Sequence, residues 1–362
     1  MNNKSEIFAK RLLQARKMEG ISLRDLSERL DRKVSYNALN RYEKGIMMPS
    51  GEVLAALSKA LGKPTDYFFH PMELELDKIE FRKRTSLGKR EEDAIKERAR
   101  DFFERYAEIE ELTGDVRRFK NPLKNPLVKL PEEVDKFSDE LRNKWELGTA
   151  PVPNIHELLE DFGIKVHEVE TEDEHFDGFS AHTDLGPVVV VSSKLNDNLL
   201  RKRMTMVHEL AHIVLKIPEH CSRKEKEAIT SRFAGAFLLP HKSFERELGK
   251  YRKAISLGEL IEIKFRFGVS IMAIMYRARQ LGWISESVIN RFWKVASRWR
   301  SEKKEPGDNE YKEHGLSNES SYRFRQLVFR GVAEGFISMS KGAALLEQSL
   351  GEFRAGFKEL YE

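Results

Sequence analysis

His208 and His212 stand four residues apart, with Glu209 directly after the first, in the run His208-Glu209-Leu210-Ala211-His212. On a helix that spacing is about one turn, so both imidazoles leave one face and can bind a single ion. Glu209 is turned by only about 100° from His208. It can stand beside an open coordination position and deprotonate a metal-bound water without being a ligand itself. The implied chemistry is metal-assisted hydrolysis of a peptide bond. It would use one zinc ion per chain, His208 and His212 as ligands and Glu209 as general base. Cys221 is the single cysteine, so a disulfide within the chain and a multi-cysteine zinc ribbon are both excluded. Any metal site must use histidine and carboxylate.

The flanking Met204, Met206, Val207, Leu210, Ala211, Ile213 and Val214 predict a buried helix from Met204 to Leu215, a rigid and dry support for the histidines. A buried helix with two incidental histidines is the plainer alternative. A metzincin would need Gly at position 215 and His at position 218. Leu215 and Pro218 stand there, so that subclass is rejected. The third ligand must come from elsewhere.

Glu225 and Glu227 both open the next predicted helix, which runs through Thr230, Phe233, Ala234 and Phe237 to Leu238-Leu239-Pro240. Glu227 has Ser231 one turn later and Ala234 two turns later on the same face, giving it a small polar neighbour and room for an ion. Glu227 is therefore the preferred ligand, with Glu225 as the alternative. Cys221 reads as a small apolar filler, and an inhibitory metal ligand or redox sensor is its alternative. His182, His220 and His241 are candidates to stabilise a transition state, and spacing does not choose among them.

The elements that must hold this site follow from periodicity and punctuation. Ile164-Lys165-Val166-His167-Glu168-Val169 alternates, and Val188 to Val191 is a β-branched run after Gly186-Pro187, so two or more strands precede the metal helix. Glu132 to Leu147 and Ile155 to Phe162 read as helices after the breaks at Pro122, Pro126 and Pro131. Beyond Pro240, helical patterns cover Glu245 to Leu248, Leu257 to Phe265, Ile271 to Leu281 and Ser287 to Trp299. Lys303 to Asn318 is polar and reads as a linker. Ser320 to Glu362 carries enough apolar residues for a small helical module.

At the other end, residues 5 to 69 read as five short helices, with Ser22 and Ser50 as N-caps of the second and fourth. Ser22 to Leu30, a short turn, and Ser35 to Gly45 have the organisation of a helix-turn-helix. Leu26, Leu30, Leu39 and Tyr42 would face the core, Ser27 lets the two helices approach, and Gly45 ends the second. This segment resembles the phage-repressor and Xre class. That resemblance puts Ser35, Tyr36, Asn37 and Arg41 on the exposed face of a recognition helix, with Asn and Arg able to read adenine and guanine edges. Asn40 would reach a phosphate or a base. Two features depart from the pattern: Asp31-Arg32-Lys33 lengthens the turn, and Leu23 stands where a polar phosphate contact is usual. Protein docking is the alternative use of this fold. Ile263 to Leu281 is also helix-turn-helix-like, with Arg266, Arg277 and Arg279. Its core-type Ile271, Ile274 and Met275 favour a structural cap.

Over about residues 120 to 300 the chain resembles the ImmA/IrrE zinc peptidases, which cleave transcriptional repressors. The matching stretches are Trp145-Glu146-Leu147-Gly148 to Leu158-Leu159-Glu160, Gly163-Ile164-Lys165-Val166, Gly178-Phe179, Arg203 to His212, and Glu227 through Phe233-Ala234 to Leu238-Leu239-Pro240. The resemblance implies a ligating carboxylate thirteen positions ahead of Pro240, which is Glu227. The family usually has Gly where Ala211 stands, and often Asn or Asp where Ser231 stands.

The expected fold class is α+β and multidomain. An all-α helix-turn-helix domain (1–72) leads through a charged connecting helix (73–120, helical from Arg90 to Leu112) to a mixed α/β zincin-like peptidase domain (121–245). A helical cap (246–302), then a linker and a C-terminal helical module (303–362), complete the chain. The 63 Lys and Arg against 59 Asp and Glu leave a formal charge of +4, which alone says little about nucleic acid. No apolar run follows Met1, and none reaches the roughly 18 residues of a membrane span, so a cytoplasmic protein without a membrane partner is expected. The expected function is a regulator that binds double-stranded DNA and cleaves a repressor or antitoxin-like protein through a zinc endopeptidase. A homodimer is left open. The alternative is a transcription factor or antitoxin that uses the peptidase-like domain as a metal or ligand sensor, or to bind a partner, without hydrolysis.

Overall fold

The computed structural model describes residues 3–71, 74, 88–124, 126–302, 304–315 and 319–358. Its first unit comprises α1 (Asn3–Met18), α2 (Leu23–Arg29), α3 (Tyr36–Glu43) and α4 (Gly51–Leu61), followed by a 3-10 turn at Thr65–Phe69. Ser22, Ser35 and Ser50 each cap a helix through the side-chain oxygen, which accepts from a backbone N–H otherwise left over in the first turn. Phe8, Leu12, Leu26, Leu30, Leu39, Tyr42, Leu57 and Phe68 meet in its core. Ser27 is buried and donates to Val34 O at 2.6 Å, which ties α2 to the start of α3. The lengthened turn is accommodated by left-handed backbone at Asp31 and Arg32, with φ of 53° and 58°.

A long helix, α5 (Lys89–Thr113), follows and ends at Gly114 in the left-handed conformation that favours glycine. Residues 75–87 of the charged connecting region lie outside the described residues. The apolar residues of α5 recur at helical spacing, and Ala94, Ile95, Ala99, Phe103, Tyr106 and Ile109 are all fully buried. So complete a burial of its apolar residues means that α5, read from the sequence as a connecting helix, is also a core element between neighbours.

The next helices, α6 (Val134–Lys144) and α7 (Ile155–Asp161), lead to β1 (Lys165–Val169), β2 (Gly178–Thr183) and β3 (Gly186–Ser192). The described strands form one sheet in the order β1-β3-β2. β1 runs parallel to β3, with Val166 opposite Val189, and β2 runs antiparallel to it, with Phe179 opposite Val190. The two-residue period of β3 divides its valines between two cores. Val189 and Val191 pack with Met206, Val207 and Leu210, whereas Val188 and Val190 pack with Ile95, Ala99 and Phe103 of α5. The sheet is thus covered on one face by the helix bearing the histidines and on the other by α5.

That histidine-bearing helix is α8 (Leu199–Val214); α9 (Arg223–Leu238) and α10 (His241–Leu248) follow it. α11 (Leu257–Phe267), α12 (Ile271–Gln280) and α13 (Glu286–Glu302) share one hydrophobic core with α6 to α9, through Leu260, Ile263, Ile271, Ile274, Met275 and Ile289. Within the stretch read as a linker, Asp308–His314 forms α14, anchored by buried Tyr311 and by Asp308, which accepts from the buried Lys264 at 2.5 Å. Positions 303 and 316–318 of that stretch lie outside the described residues. The C-terminal helices α15 (Arg323–Ala333), α16 (Met339–Leu345) and α17 (Leu350–Gly356) bury Leu327, Val328 and Phe353 against Tyr106 and Ile109 of α5. No described helix is long and apolar enough to cross a membrane.

Candidate metal centre and nucleic-acid interface

α8 begins five residues before the Met204 start that its apolar pattern predicts. Asn198 caps it by accepting from Arg201 N at 3.1 Å. Lys202 and Arg203 in its first turns are charged yet buried, because each has partners: Lys202 donates to Glu168 at 2.6 Å and Asn196 at 2.7 Å. Buried polar anchors, together with the apolar face, therefore set the orientation of this helix.

His208 and Glu209 are 5 % and 2 % exposed, so the candidate site has the low-dielectric surroundings that strengthen electrostatic effects. The His208 and His212 rings have centroids 5.4 Å apart, as one helical turn requires. From α9, Glu227 Oε2 approaches His208 Nε2 to 3.7 Å. Thr230 Oγ1 lies 3.0 Å from the same nitrogen, and Ser231 Oγ lies 3.4 Å from Nδ1. The Thr230 hydroxyl also lies within donating distance of Lys226 O at 3.1 Å. Ser180 on β2 donates to Glu209 Oε2 at 2.9 Å.

The two candidate carboxylates of α9 have different surroundings. Glu225 is exposed and folds back on Ser222, accepting from its backbone N–H at 2.7 Å and its hydroxyl at 2.6 Å. Those hydrogen bonds hold its carboxyl below the usual carboxylate range. Glu227 thus stands beside His208, whose ring neighbours that of His212, whereas Glu225 is committed to a helix cap. Two imidazoles and a carboxylate are donors that suit zinc. The described residues nevertheless hold no group of three His, Cys, Asp or Glu side chains close enough together to form a finished coordination shell.

An open cleft borders His208 and Glu209, with His175, Arg201, Thr205 and Ser231 also among its walls. Sequence reasoning misses His175, Ser180 and Thr230. The i+3 position of Thr230 after Glu227 could have pointed to it, whereas nothing in local spacing marks His175 or Ser180. His182 and His220 are exposed, and His241 stacks edge-on to Trp283 at 5.2 Å. Cys221 is half-buried, and its N–H donates to Pro218 O.

On the helix-turn-helix unit, Tyr36, Asn37 and Arg41 project from α3 into solvent and Asn40 is half-buried, while Leu39 and Tyr42 face the core. Ser35 departs from the expectation. It precedes the helix as its N-cap, and its hydroxyl oxygen is occupied by Ala38 N at 3.2 Å. Leu23 packs against the core of the unit, which accounts for an apolar residue where a phosphate contact is usual. In the α11–α12 pair, Arg277 is buried against Asp135 at 2.9 Å, Arg266 pairs with Glu247 at 2.8 Å and Arg279 with Glu286 at 3.0 Å. All three arginines of this second pair are thus engaged by protein carboxylates.

Residues 159–279 match the family model described as the IrrE N-terminal-like domain, and residues 12–68 match the model described as helix-turn-helix. No curated protein matches the chain. The first match begins within α7 and ends within α12, so it takes in the sheet, the helices that carry the candidate ligands and the α11–α12 pair that shares their core. The chain thus joins an N-terminal segment similar to helix-turn-helix domains to a segment similar to the IrrE N-terminal-like domain.

Proposed function

We propose that this regulator is a cytoplasmic DNA-binding protein whose zinc site hydrolyses a peptide bond in a partner, a transcriptional repressor or an antitoxin-like protein. The observation that carries the reading is Glu209: a buried carboxylate beside His208, oriented by Ser180 and bordering an open cleft. A pure sensor needs no general base.

His208, His212 and Glu227 would hold the ion, which supplies a Lewis acid and an acidified water when bound. Glu209 takes the proton of the attacking water on its carboxylate and returns it to the leaving amide nitrogen. Ser180 fixes the plane of that carboxylate through Oε2. β2 is an edge of the described sheet, so an extended substrate segment can pair with it as an added strand and run past Glu209.

The test is a Glu209→Gln bait expressed in the native host. It should retain a protein that the wild type cuts in a purified mixture with zinc. Purified protein that takes up no stoichiometric zinc, or a Glu209→Gln chain that still relieves repression, overturns the proposal. A second reading is that the domain senses a metal or ligand, or binds a partner, without hydrolysis. A captured partner that stays intact with wild type supports that one.

A further inference from the structure

The start of α5 stands against the helix-turn-helix unit. Lys17 at the end of α1 pairs with Asp93 at 3.1 Å, Arg98 donates to Met18 O at 2.8 Å, and a Cβ at Gly20 would stand 3.9 Å from that of Ala94. One turn earlier, Arg90 reaches across to Asp25 in the first turn of α2, and the two side chains are 59 % and 45 % exposed. The acids that follow Arg90 are engaged within the protein. Glu91 accepts from Thr171 at 2.9 Å, Glu92 from Lys96 at 2.9 Å, and Asp93 meets Lys17. Lys89 and Arg90 are left as the exposed cations of this turn.

Beside Asp25, exposed Arg24 holds its guanidinium carbon 6.0 Å from the centroid of the Tyr36 ring, and Tyr36 opens α3. Arg90, Asp25, Arg24 and Tyr36 therefore form a continuous row from the connecting helix to the recognition helix. When such a unit docks on DNA, the second helix lies in the major groove and the first crosses the sugar-phosphate backbone. Cations alongside the first helix then lie where phosphates pass. Asp25 alone would repel that backbone, and Arg90 offsets it. One guanidinium carries five N–H donors in a planar fork, enough to hold Asp25 and a phosphate together.

We propose that Arg90, outside the helix-turn-helix unit, is a phosphate contact, so that duplex DNA is gripped by α5 as well as by α2 and α3. This rests on the DNA-binding reading above and extends its footprint. The test uses the full chain and a mixed-sequence duplex of about 30 base pairs, roughly three helical turns, titrated over a range of salt. Nonspecific binding reports the phosphate contribution without knowledge of the operator.

Arg90→Ala should weaken binding by roughly 3- to 10-fold and reduce the slope of log K against log salt by about 0.9, the share of one phosphate. Asp25→Asn keeps an acceptor for the cap at Ser22, removes the repelling charge and should tighten binding. If Arg90 merely staples α5 to α2, both variants weaken binding alike and the slope stays unchanged, which overturns the proposal. Arg41→Ala is the reference. If it weakens binding while Arg90→Ala leaves affinity and slope untouched, the proposal alone fails. A wild type with no affinity for the duplex overturns the DNA reading and this proposal together. Unfolding midpoints verify that each variant is folded.

Discussion

Arg203 and Glu319 form an ion pair in which both side chains are fully buried, although 116 positions separate them in the chain. Arg203 lies on α8 shortly before His208 and also donates to Gly268 O at 3.0 Å and Val152 O at 2.7 Å. The second oxygen of Glu319 accepts from Ile155 N at 3.0 Å, so one carboxylate joins the start of α7 to the candidate metal helix. Gly268 is required beside them: its φ is +62°, and a Cβ there would stand 2.7 Å from Arg203 Nε. Removing one partner strands the other without compensation. Glu319→Ala should therefore cost about 3–5 kcal/mol in urea unfolding, whereas the double variant Arg203→Met with Glu319→Leu should cost less than Glu319→Ala alone. A double variant as unstable as the sum of its single changes would contradict this account.

Zinc should stabilise the fold through Glu227 and not through Glu225. A ligand that binds only the native state raises stability by about 2.7 kcal/mol at 100 times its dissociation constant. Glu227→Gln should abolish that zinc-dependent rise in unfolding midpoint. Glu225→Gln should keep it and leave the metal-free midpoint nearly unchanged, because glutamine also serves a capping box at Ser222. Thermal unfolding with zinc and with chelator distinguishes the two, and the reverse pattern would move the ligand to Glu225.

Glu225 reads from the sequence as an alternative ligand; its task at the start of its helix shows in the structure, where it closes a capping box with Ser222. The helices with strong local signals match their expected spans closely, α5 being Lys89–Thr113 against an expected Arg90 to Leu112. β1 and β3 follow from alternation and β-branching. β2 is harder to read because Ser180, His182 and Thr183 dilute its pattern, yet it brings Ser180 to Glu209. The start of α8 and the insertion of Glu319 depend on buried charges whose partners are far away in sequence. A charged residue looks the same in a sequence whether it faces water or a buried counter-ion, so hydropathy pushes both toward the surface.

Glu168 should give this protein a distinct sensitivity to acid. Burial alone would raise its carboxyl, but His156 at 3.6 Å and hydrogen bonds from Lys202 and Asn196 outweigh that and hold it down to about 2. A carboxylate depressed in the folded state contributes stability that is present above its unfolded pKa of roughly 4.3 and is lost as pH falls toward about 2. The contribution is on the order of 2–3 kcal/mol at neutral pH. Glu168→Gln should be less stable than wild type at pH 7, with the gap narrowing as pH drops through this window. Urea midpoints across a pH series measure the gap, and parallel curves for the two proteins would refute the assignment.

A line of hydrogen bonds runs from the helix carrying Arg90 to the wall of the cleft, and Thr171 is its narrowest point. The Thr171 hydroxyl donates to Glu91 at 2.9 Å and accepts from Asp173 N at 3.2 Å. Asp173 in turn accepts from the backbone of His175 at 2.6 Å and of Phe176 at 3.0 Å, both of which line the cleft beside His208. Thr171→Val preserves the shape of this buried side chain but removes both hydroxyl bonds. Each such bond contributes about 1 kcal/mol, so backbone amides from Asp173 to Phe176 should exchange with solvent roughly 10-fold faster. Amides of β3 should be unaffected, and Thr171→Ser should restore protection. Equal exchange in wild type and Thr171→Val would mean that Asp173 holds the cleft wall by itself, and α5 would then have no mechanical connection to the site along this route.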